Sequence, residues 1–234
     1  MDYCVLLLTI MVWPLANTMG QSTALDEFLA CVEQQYGPDD QLINGRPYQP
    51  VNLKPEGHPY FYTDAWQPGM VYLGGRPYAA SKLKYDLERQ QLAIQYDRPN
   101  GTYQKAVVSP LLLDSFRIGA HRFVNQRLVL PGTEAPGYLE KIFEAELAFY
   151  RYQQKVLTAP SSSKPYGKYT GLKDDFYLLK EGQVHHITKR KDFLSAFPAH
   201  KSQVRKYMKQ QLPGWKKITD AQFVQLLKFC HAKL

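Results

Sequence analysis

Apolar and polar side chains alternate along the middle of the chain, and this period of two constrains the fold more than any other feature of the sequence. Leu83, Tyr85 and Leu87 alternate with polar neighbours, and residues 92–96 repeat the pattern. Such alternation is typical of strands that bury one face. Gly-Gly and Asn-Gly steps between the runs favour hairpin turns. The sequence therefore predicts antiparallel strands, because no helical segment separates one strand from the next.

Further runs of the same kind bring the expected number of strands to between seven and nine. They lie at residues 70–73, 103–108, 116–124 and 176–188. Residues 137–157 leave two interpretations open. Their Ala, Glu, Leu, Lys and Gln content suits a helix, whereas their alternating aromatic side chains favour strands, which we expect.

The C-terminal part of the chain has a different pattern. Asp192 can cap a helical turn that runs through Phe197, and residues 201–211 and 220–231 have helical spacing on either side of a Pro-Gly step. The predicted fold class is therefore α+β: an antiparallel β meander, as a twisted sheet or half-barrel, with an N-terminal helix and a C-terminal group of short helices.

Four segments follow from these patterns. We expect residues 1–20 to be a signal peptide and residues 21–37 to be an amphipathic N-terminal helix. Residues 38–190 form the predicted antiparallel β domain. Residues 191–234 form a basic helical tail that packs on the same domain.

The first segment has the layout of an export signal. Twelve apolar residues at 5–16 precede a small and polar stretch, with expected cleavage after Gly20. Twelve residues are fewer than the ~20 that a membrane-spanning helix needs. Because Asp2 precedes the apolar run without any Lys or Arg, either the α-amino group alone supplies the positive charge or translation starts upstream. We expect an exported protein that is periplasmic or associated with the outer membrane.

Two cysteines remain after the leader, Cys31 and Cys230. In an exported protein they can form one disulfide, and the alternative is a pair of buried thiols. Metal-binding Cys spacing is absent, and the neighbouring His185 and His186 would point to opposite faces of a strand. No metal or other cofactor is predicted.

Positive charge is concentrated at the C-terminal end. The chain carries a net charge of +8, and residues 160–234 hold fifteen Lys and Arg against five Asp and Glu, so this part carries +10 and the rest −2. Lys201, Arg205 and Lys209 share one face of a predicted helix, and Lys206 lies beside them. These four residues are the expected docking surface for an acidic envelope protein or an anionic membrane surface. An exported protein seldom meets nucleic acid, so we expect no nucleic-acid partner.

A segment rich in Pro, Gly and aromatic residues precedes the alternating region. Its flat, amphipathic rings are suited to stacking on sugars or on apolar groups. The predicted ligand-binding residues are Tyr60, Tyr62, Trp66 and Tyr78, with Tyr48 nearby. The alternative interpretation is that these rings cover the open end of the sheet.

Enzymatic motifs are missing from the sequence. No GxSxG, GxxxxGK[ST] or GxGxxG segment occurs. A hydrolase acting on glycan or peptide would have to bring Glu140, Glu144, Asp114 and His121 into one pocket. We predict no catalytic residue and keep the hydrolase as an alternative.

One resemblance extends over most of the mature chain. Gly74-Gly75-Arg76-Pro77-Tyr78, Leu83-Lys84-Tyr85-Asp86, Phe116 and Gly137-Tyr138-Leu139-Glu140 form a pattern that resembles uncharacterised exported proteins of Gram-negative bacterial envelopes. The resemblance implies a β region that ends in a basic helical tail, and it implies no known activity. A β meander of this kind is also similar in architecture to the half-barrels of lipoprotein carriers.

These features together predict a non-enzymatic exported envelope protein. We expect it to bind a protein partner or an apolar or glycan ligand through its sheet, and to dock through its basic helices. A hydrolase of the envelope and a structural subunit of an envelope complex are the alternatives. A structural subunit would present a broad exposed apolar patch.

Overall fold

The computed structural model describes residues 45–50, 54–98, 100–131 and 137–233. The expected signal peptide and N-terminal helix, residues 1–37, lie outside the described residues. Ten strands are found in the described ranges: β1 Gln67–Leu73, β2 Arg76–Asp86, β3 Gln91–Asp97, β4 Tyr103–Val107, β5 Leu113–Ile118, β6 His121–Asn125, β7 Tyr138–Glu144, β8 Leu147–Gln154, β9 Lys173–Lys180 and β10 Gln183–Ile187. The helices are α1 Gln126–Val129, α2 Arg190–Ser195, α3 Lys201–Gln211 and α4 Asp220–His231, with a 3-10 turn at Trp215–Lys217.

All ten strands belong to one antiparallel sheet, and most of the helices follow it in the chain. The α+β prediction is confirmed for the described residues. The strand order is β10-β9-β8-β7-β6-β5-β1-β2-β3-β4. A single meander would keep β5 next to β4, but β5 pairs with β1, where Phe116 lies opposite Val71. Two meanders, β1–β4 and β5–β10, are therefore joined side by side.

The ambiguous run at 137–157 consists of the two strands β7 and β8, so the strand interpretation is confirmed. Leu147 and Phe149 face the helical core, and Ala148 and Tyr150 face the other side of the sheet. Residues 116–124 belong to two strands, because Gly119 adopts a positive φ of 58° in the turn between them.

The part of the sheet that contains β1 to β7 curls around an aromatic core. Three strands lie between β2 and β7, so a flat sheet would place them about 19 Å apart. The ring of Tyr85 on β2 nevertheless lies 5.8 Å from the ring of Tyr138 on β7 and 5.0 Å from that of Phe116 on β5. All three side chains are fully buried. The interior of the curl is thus filled by side chains.

Helices α2 to α4 pack on the face of β7 to β10. Phe149 of β8 lies 5.2 Å from Phe223 of α4 and 6.3 Å from Phe193 of α2, between ring centroids. Leu226 and Leu227 are fully buried in the same cluster. Each such side chain contributes roughly 1.5–3 kcal/mol through burial, which explains why the basic tail is ordered against the sheet.

The start of α2 differs from the expected one. Asp192 is not the residue that precedes the helix but its third residue, and its Oδ2 accepts hydrogen bonds from Lys189 N (3.0 Å) and Thr188 Oγ1 (2.6 Å). These bonds hold the pKa of Asp192 below its usual range. The carboxylate therefore caps the helix from inside its first turn. Helices α3 and α4 have the predicted bounds. No helix in the described ranges has the length and apolar character to span a membrane.

Candidate functional site

A pocket of about 440 Å³ opens where the proline-rich segment 54–66 lies beside strands β2 and β4. His58, Tyr169 and Lys54 contribute to its wall. We call it the aromatic–lysine pocket, after the aromatic and charged residues in its lining. These are Tyr48, Tyr60, Trp66, Lys84, Lys105 and Asp64.

Backbone hydrogen bonds hold the pocket segments on the sheet. Phe61 N donates to Tyr85 O (2.9 Å), and Tyr48 N donates to Lys105 O (3.0 Å). Lys155 Nζ donates to two carbonyl groups of the proline-rich segment, at 3.0 and 2.9 Å. Prolines lack an N–H group, so this segment forms short bridges in place of a continuous strand. The bridges place its rings against the sheet.

Two ammonium groups lie against the rings of the pocket. The Lys84 side chain is only 10% exposed, and its Nζ lies 2.7 Å from Asp64 Oδ1. The same Nζ is 4.4 Å from the Tyr60 ring centroid and 5.1 Å from that of Trp66. Lys105 Nζ lies 5.6 Å from the Trp66 centroid. These distances are within the ~6 Å range of cation–π attraction, so rings and cations are interleaved.

The tyrosine hydroxyl groups and the imidazole of the pocket are uncharged at neutral pH. Tyr48 and Tyr60 share a hydrogen bond of 2.5 Å between their hydroxyl groups, and burial raises the pKa of both phenols. Burial, and then the nearby Lys155 charge, lowers the pKa of His58. Its Nδ1 accepts a hydrogen bond from Tyr60 N at 3.2 Å. The lysines therefore make the pocket cationic.

Two of the four predicted ligand-binding residues, Tyr60 and Trp66, line this pocket, and the other two do not. Tyr78 is buried in the aromatic core of the curled sheet. Tyr62 is 63% exposed with a φ of 54°, and its ring lies 5.0 Å from that of His121.

The sequence interpretation missed Lys84, Lys105 and Asp64. Lys84 alternates with Leu83 and Tyr85, so it lies on the opposite face of β2, where a sheet buried on one side would expose it. Segment 54–66 covers that face. In the sequence, only the high density of prolines and aromatic residues in this segment indicates that it covers the sheet.

A second cluster surrounds the buried carboxylate of Glu140. Its Oε1 lies 2.5 Å from His121 Nδ1, and its Oε2 accepts from Arg151 Nη2 (2.6 Å) and Nε (3.0 Å). Arg151 also donates to Asp220 Oδ1 of α4 at 2.7 Å. The cluster therefore ties α4 to the sheet.

The hydrolase alternative needs four residues in one place, and the structure brings two of them together. His121 meets Glu140, but Asp114 accepts a hydrogen bond from Gly75 N (2.7 Å). Glu144 pairs with Lys141 at 2.5 Å. Because Glu140 also has its second oxygen occupied by an arginine, the arrangement resembles a structural ion network more than a pair of catalytic carboxylates.

The third feature is a groove of about 530 Å³ between α2 and α3, named here the basic groove. Its lining residues are Arg190, Lys191, Leu194, Lys201, Arg205 and Lys209. Three of the four predicted docking residues line it. Lys206 is exposed on α3 and does not line the groove.

Cys230 is buried on α4, and burial raises the pKa of its thiol to about 12. Cys31 lies outside the described residues, so its pairing with Cys230 stays a prediction. In the described part of the chain, no group of three His, Cys, Asp or Glu side chains is placed to hold a metal ion.

No protein family model matches this chain, and neither a curated protein nor a solved structure matches it.

Proposed function

We propose that this protein is a non-enzymatic, exported envelope protein that binds a ligand at its sheet, in the aromatic–lysine pocket. The ligand is a glycan that carries an acidic group. The basic C-terminal helices form a second surface, which docks on an anionic partner. The observation that carries the proposal is the position of Lys84 between the rings of Tyr60 and Trp66.

Each component of the pocket suits one part of such a ligand. Aromatic rings offer flat apolar faces for sugars, and their polar edges can hydrogen-bond to hydroxyl groups. Ammonium groups that are partly removed from water attract a carboxylate strongly. The carboxylate beside Lys84 belongs to Asp64, whose side chain is 65% exposed. Because Asp64 is exposed, its carboxylate can return to water when a carboxylate of the ligand takes its place beside Lys84.

An apolar ligand is less consistent with the arrangement. A carrier of the half-barrel type needs an open concave face, whereas Tyr85, Phe116 and Tyr138 fill the interior of the curl. The pocket lies outside this core and is bordered by lysines. These contacts support a polar ligand.

The structural-subunit alternative has one observation in its favour. Leu111 and Leu128 are 75% and 60% exposed, and Arg127 of α1 donates to the carbonyl group of Leu111. Leu112 beside them is 44% exposed, and three exposed leucines are still a smaller surface than the broad patch that this alternative requires.

Calorimetric titration of the full chain with an acidic and a neutral oligosaccharide, such as trigalacturonate and a galactose trisaccharide, tests the proposal. We expect the acidic sugar to bind more tightly. Trp66→Ala and Lys105→Gln should each weaken its binding at least tenfold, because each removes a cation–π contact and one ligand contact. Tyr166→Ala and Lys173→Gln, which change exposed residues outside the pocket, serve as matched controls.

Two results would contradict the proposal. Equal affinity for the two sugars would show that the lysines do not select an acidic ligand. Unchanged affinity in a correctly folded Trp66→Ala variant, checked by circular dichroism, would place the binding site elsewhere.

A further inference from the structure

A second pocket, of about 460 Å³, adjoins the aromatic–lysine pocket, because Tyr48 lines both. Its lining is mostly polar and includes Arg46, Arg89, Gln49 and Gln91, so we call it the arginine pocket. None of the described residues in this lining is acidic. Among the ion pairs of the described residues, none involves either arginine. The arginine pocket therefore presents two exposed cations that are free to pair with an anionic ligand.

The strand register explains why the two pockets are neighbours. Val107 N donates to Arg46 O at 2.9 Å, and this stretch of chain runs antiparallel to β4. Arg46 thus lies opposite Val107, and Tyr48 lies opposite Lys105. These four residues share one face of the sheet, because side chains alternate between the two faces. The pairing of β2, β3 and β4 places Lys84 on the same face, in line with Val107.

The same register gives the span of the combined site. Arg46 lies three strand spacings from Lys84, which is about 14 Å along the sheet. One carboxylate cannot contact cations at both ends of this span. A ligand that contacts both ends must be longer than one sugar and must carry two acidic groups.

Arg89 is held at the arginine pocket by a hydrogen bond. Its Nη1 donates to the backbone carbonyl oxygen of Gln49 at 3.1 Å. A guanidinium has five N–H donors, so this bond orients the group and leaves most of its donors for a ligand. Burial raises the pKa of both Tyr48 and Tyr60, and the charge of Arg89 opposes that rise. The charge of Arg89 therefore acts on the two hydroxyl groups of the neighbouring pocket.

We propose that the arginine pocket is a second subsite for the same ligand, which is an acidic oligosaccharide with carboxylates on at least two of its sugars. Lys84 and Lys105 bind one carboxylate, and Arg46 and Arg89 bind another. A planar guanidinium binds a carboxylate through two parallel hydrogen bonds, which makes such pairs strong and directional. The inference rests on the proposed function, because it extends the ligand from the aromatic–lysine pocket.

Two linked subsites predict that affinity rises with the length of the sugar. The first sugar to bind gives up most of the freedom of the ligand, so contacts of a later sugar add to affinity at a smaller entropic cost. A ligand confined to the aromatic–lysine pocket would gain little from additional sugars. Chain length therefore distinguishes one subsite from two.

Titration of the full chain with galacturonate and with trigalacturonate, followed by proton–nitrogen NMR, tests the second subsite. We expect the trimer to bind at least roughly tenfold more tightly than the monomer. Arg46→Gln/Arg89→Gln should weaken trimer binding roughly tenfold and monomer binding less than about twofold. The matched control is Arg76→Gln/Arg117→Gln, which removes two exposed arginines that line neither pocket and should change both affinities less than about twofold. Thermal unfolding of each variant identifies any loss that comes from unfolding.

A conservative variant tests the directional contact. Arg89→Lys keeps the positive charge but loses the planar guanidinium, and it should weaken trimer binding severalfold. Full trimer affinity in Arg89→Lys would show that charge alone is sufficient, which would overturn the paired hydrogen bonds. Equal losses in the Arg46→Gln/Arg89→Gln and control variants would show attraction by net charge and would overturn the subsite.

The outcomes separate this inference from the proposed function. Equal affinities for monomer and trimer, both weakened by Trp66→Ala, would overturn the second subsite and leave the aromatic–lysine pocket supported. Unchanged trimer binding in the Arg46→Gln/Arg89→Gln variant would do the same. Trimer binding that depends on the two arginines but not on Trp66 would overturn the proposed function and, with it, the shared ligand. If neither sugar binds the natural chain, both proposals are wrong.

Discussion

Arg151 and Glu140 lie opposite each other on neighbouring strands, and Arg151 Nη2 is 2.6 Å from Glu140 Oε2. Both side chains are almost completely buried, at 11% and 3% exposure. Arg151 extends the pair to Asp220 on α4. The pair therefore joins the sheet to the last helix, and the charge of Glu140 raises the pKa of Arg151 although burial opposes it.

Removal of one member of this pair should destabilise the fold strongly. We expect Arg151→Met to lower the free energy of unfolding by about 3–5 kcal/mol, because Glu140 would remain charged and buried without its main partner. Urea denaturation measures the change. The double variant Glu140→Gln/Arg151→Met leaves no buried charge unpaired, since Asp220 is 47% exposed, and should recover part of the loss. If the double variant were less stable than Arg151→Met, the buried charge would not be the cause.

Asp86 provides a test of how the stability of the fold depends on pH. Its Oδ1 accepts hydrogen bonds from Glu88 N and Arg89 N, both at 2.9 Å, and burial raises its pKa. Because the folded pKa lies above the unfolded one, the contribution of Asp86 to stability is largest below the unfolded pKa and falls as pH rises through the folded pKa.

Two substitutions at position 86 separate charge from hydrogen bonding. Asp86→Asn keeps an acceptor oxygen and removes the charge, so its stability relative to the natural protein should improve as pH rises from about 4 to about 7. Asp86→Ala should lose about 1–3 kcal/mol, since both N–H groups lose their acceptor. Urea midpoints measured across this pH range provide the comparison. A constant difference between Asp and Asn would show that the pKa of Asp86 is the same in the folded and unfolded chains.

Gly69 tests the close approach of β1 to its neighbours. A Cβ atom at this position would lie 2.0 Å from the carbonyl oxygen of Arg117 and 2.7 Å from Leu83 Cδ1. We expect Gly69→Ala to cost about 1–3 kcal/mol, because the backbone of β5 would have to move. Gly171→Ala is the control, since no atom lies within 4 Å of its added Cβ. Its effect should stay within about 0.5 kcal/mol. Similar thermal unfolding midpoints for the two variants would argue against the close packing.

The Cys230 thiol should be unreactive in the folded protein. Burial raises its pKa to about 12, so at pH 8 roughly one thiol in ten thousand is ionised. In a Cys4→Ser/Cys31→Ser background, a thiol reagent should label Cys230 slowly before denaturation in guanidinium and rapidly after it. The same background with Ser202→Cys, an exposed position on α3, should react rapidly while folded. Fast labelling of native Cys230 would show that α4 opens readily.

Local pattern was sufficient to predict the elements of the fold. The alternation around Leu83 and Tyr85 corresponds to β2, and the helical spacing at the C-terminus corresponds to α3 and α4 with matching bounds. These predictions succeed because strand and helix periodicity depends on which face of a single segment is buried. Two of the aromatic residues that line the pocket, Tyr60 and Trp66, could also be predicted locally, because the composition of their own segment marks them.

Contacts between segments that are far apart in the sequence could not be predicted from local pattern. Tyr78 follows the aromatic segment closely in the sequence, yet it lies in the core with Leu83 and Tyr85 because the pairing register of β2 shifts between Ala80 and Leu83. Arg190 and Lys191 line a groove with α3 because α2 packs against that helix. The spacing of residues within either helix alone does not predict that the two helices pack together.

The sequence by itself determined an antiparallel β protein with a basic helical end, since alternation, turn residues and charge are properties of neighbouring positions. Only the tertiary structure decided that β5 returns to pair with β1, that Lys84 is covered by rings, and that Arg151 links Glu140 to α4. These contacts join residues between 11 and 69 positions apart. The free energy of burial and strand pairing across the whole chain selects them, and no local segment contains that information.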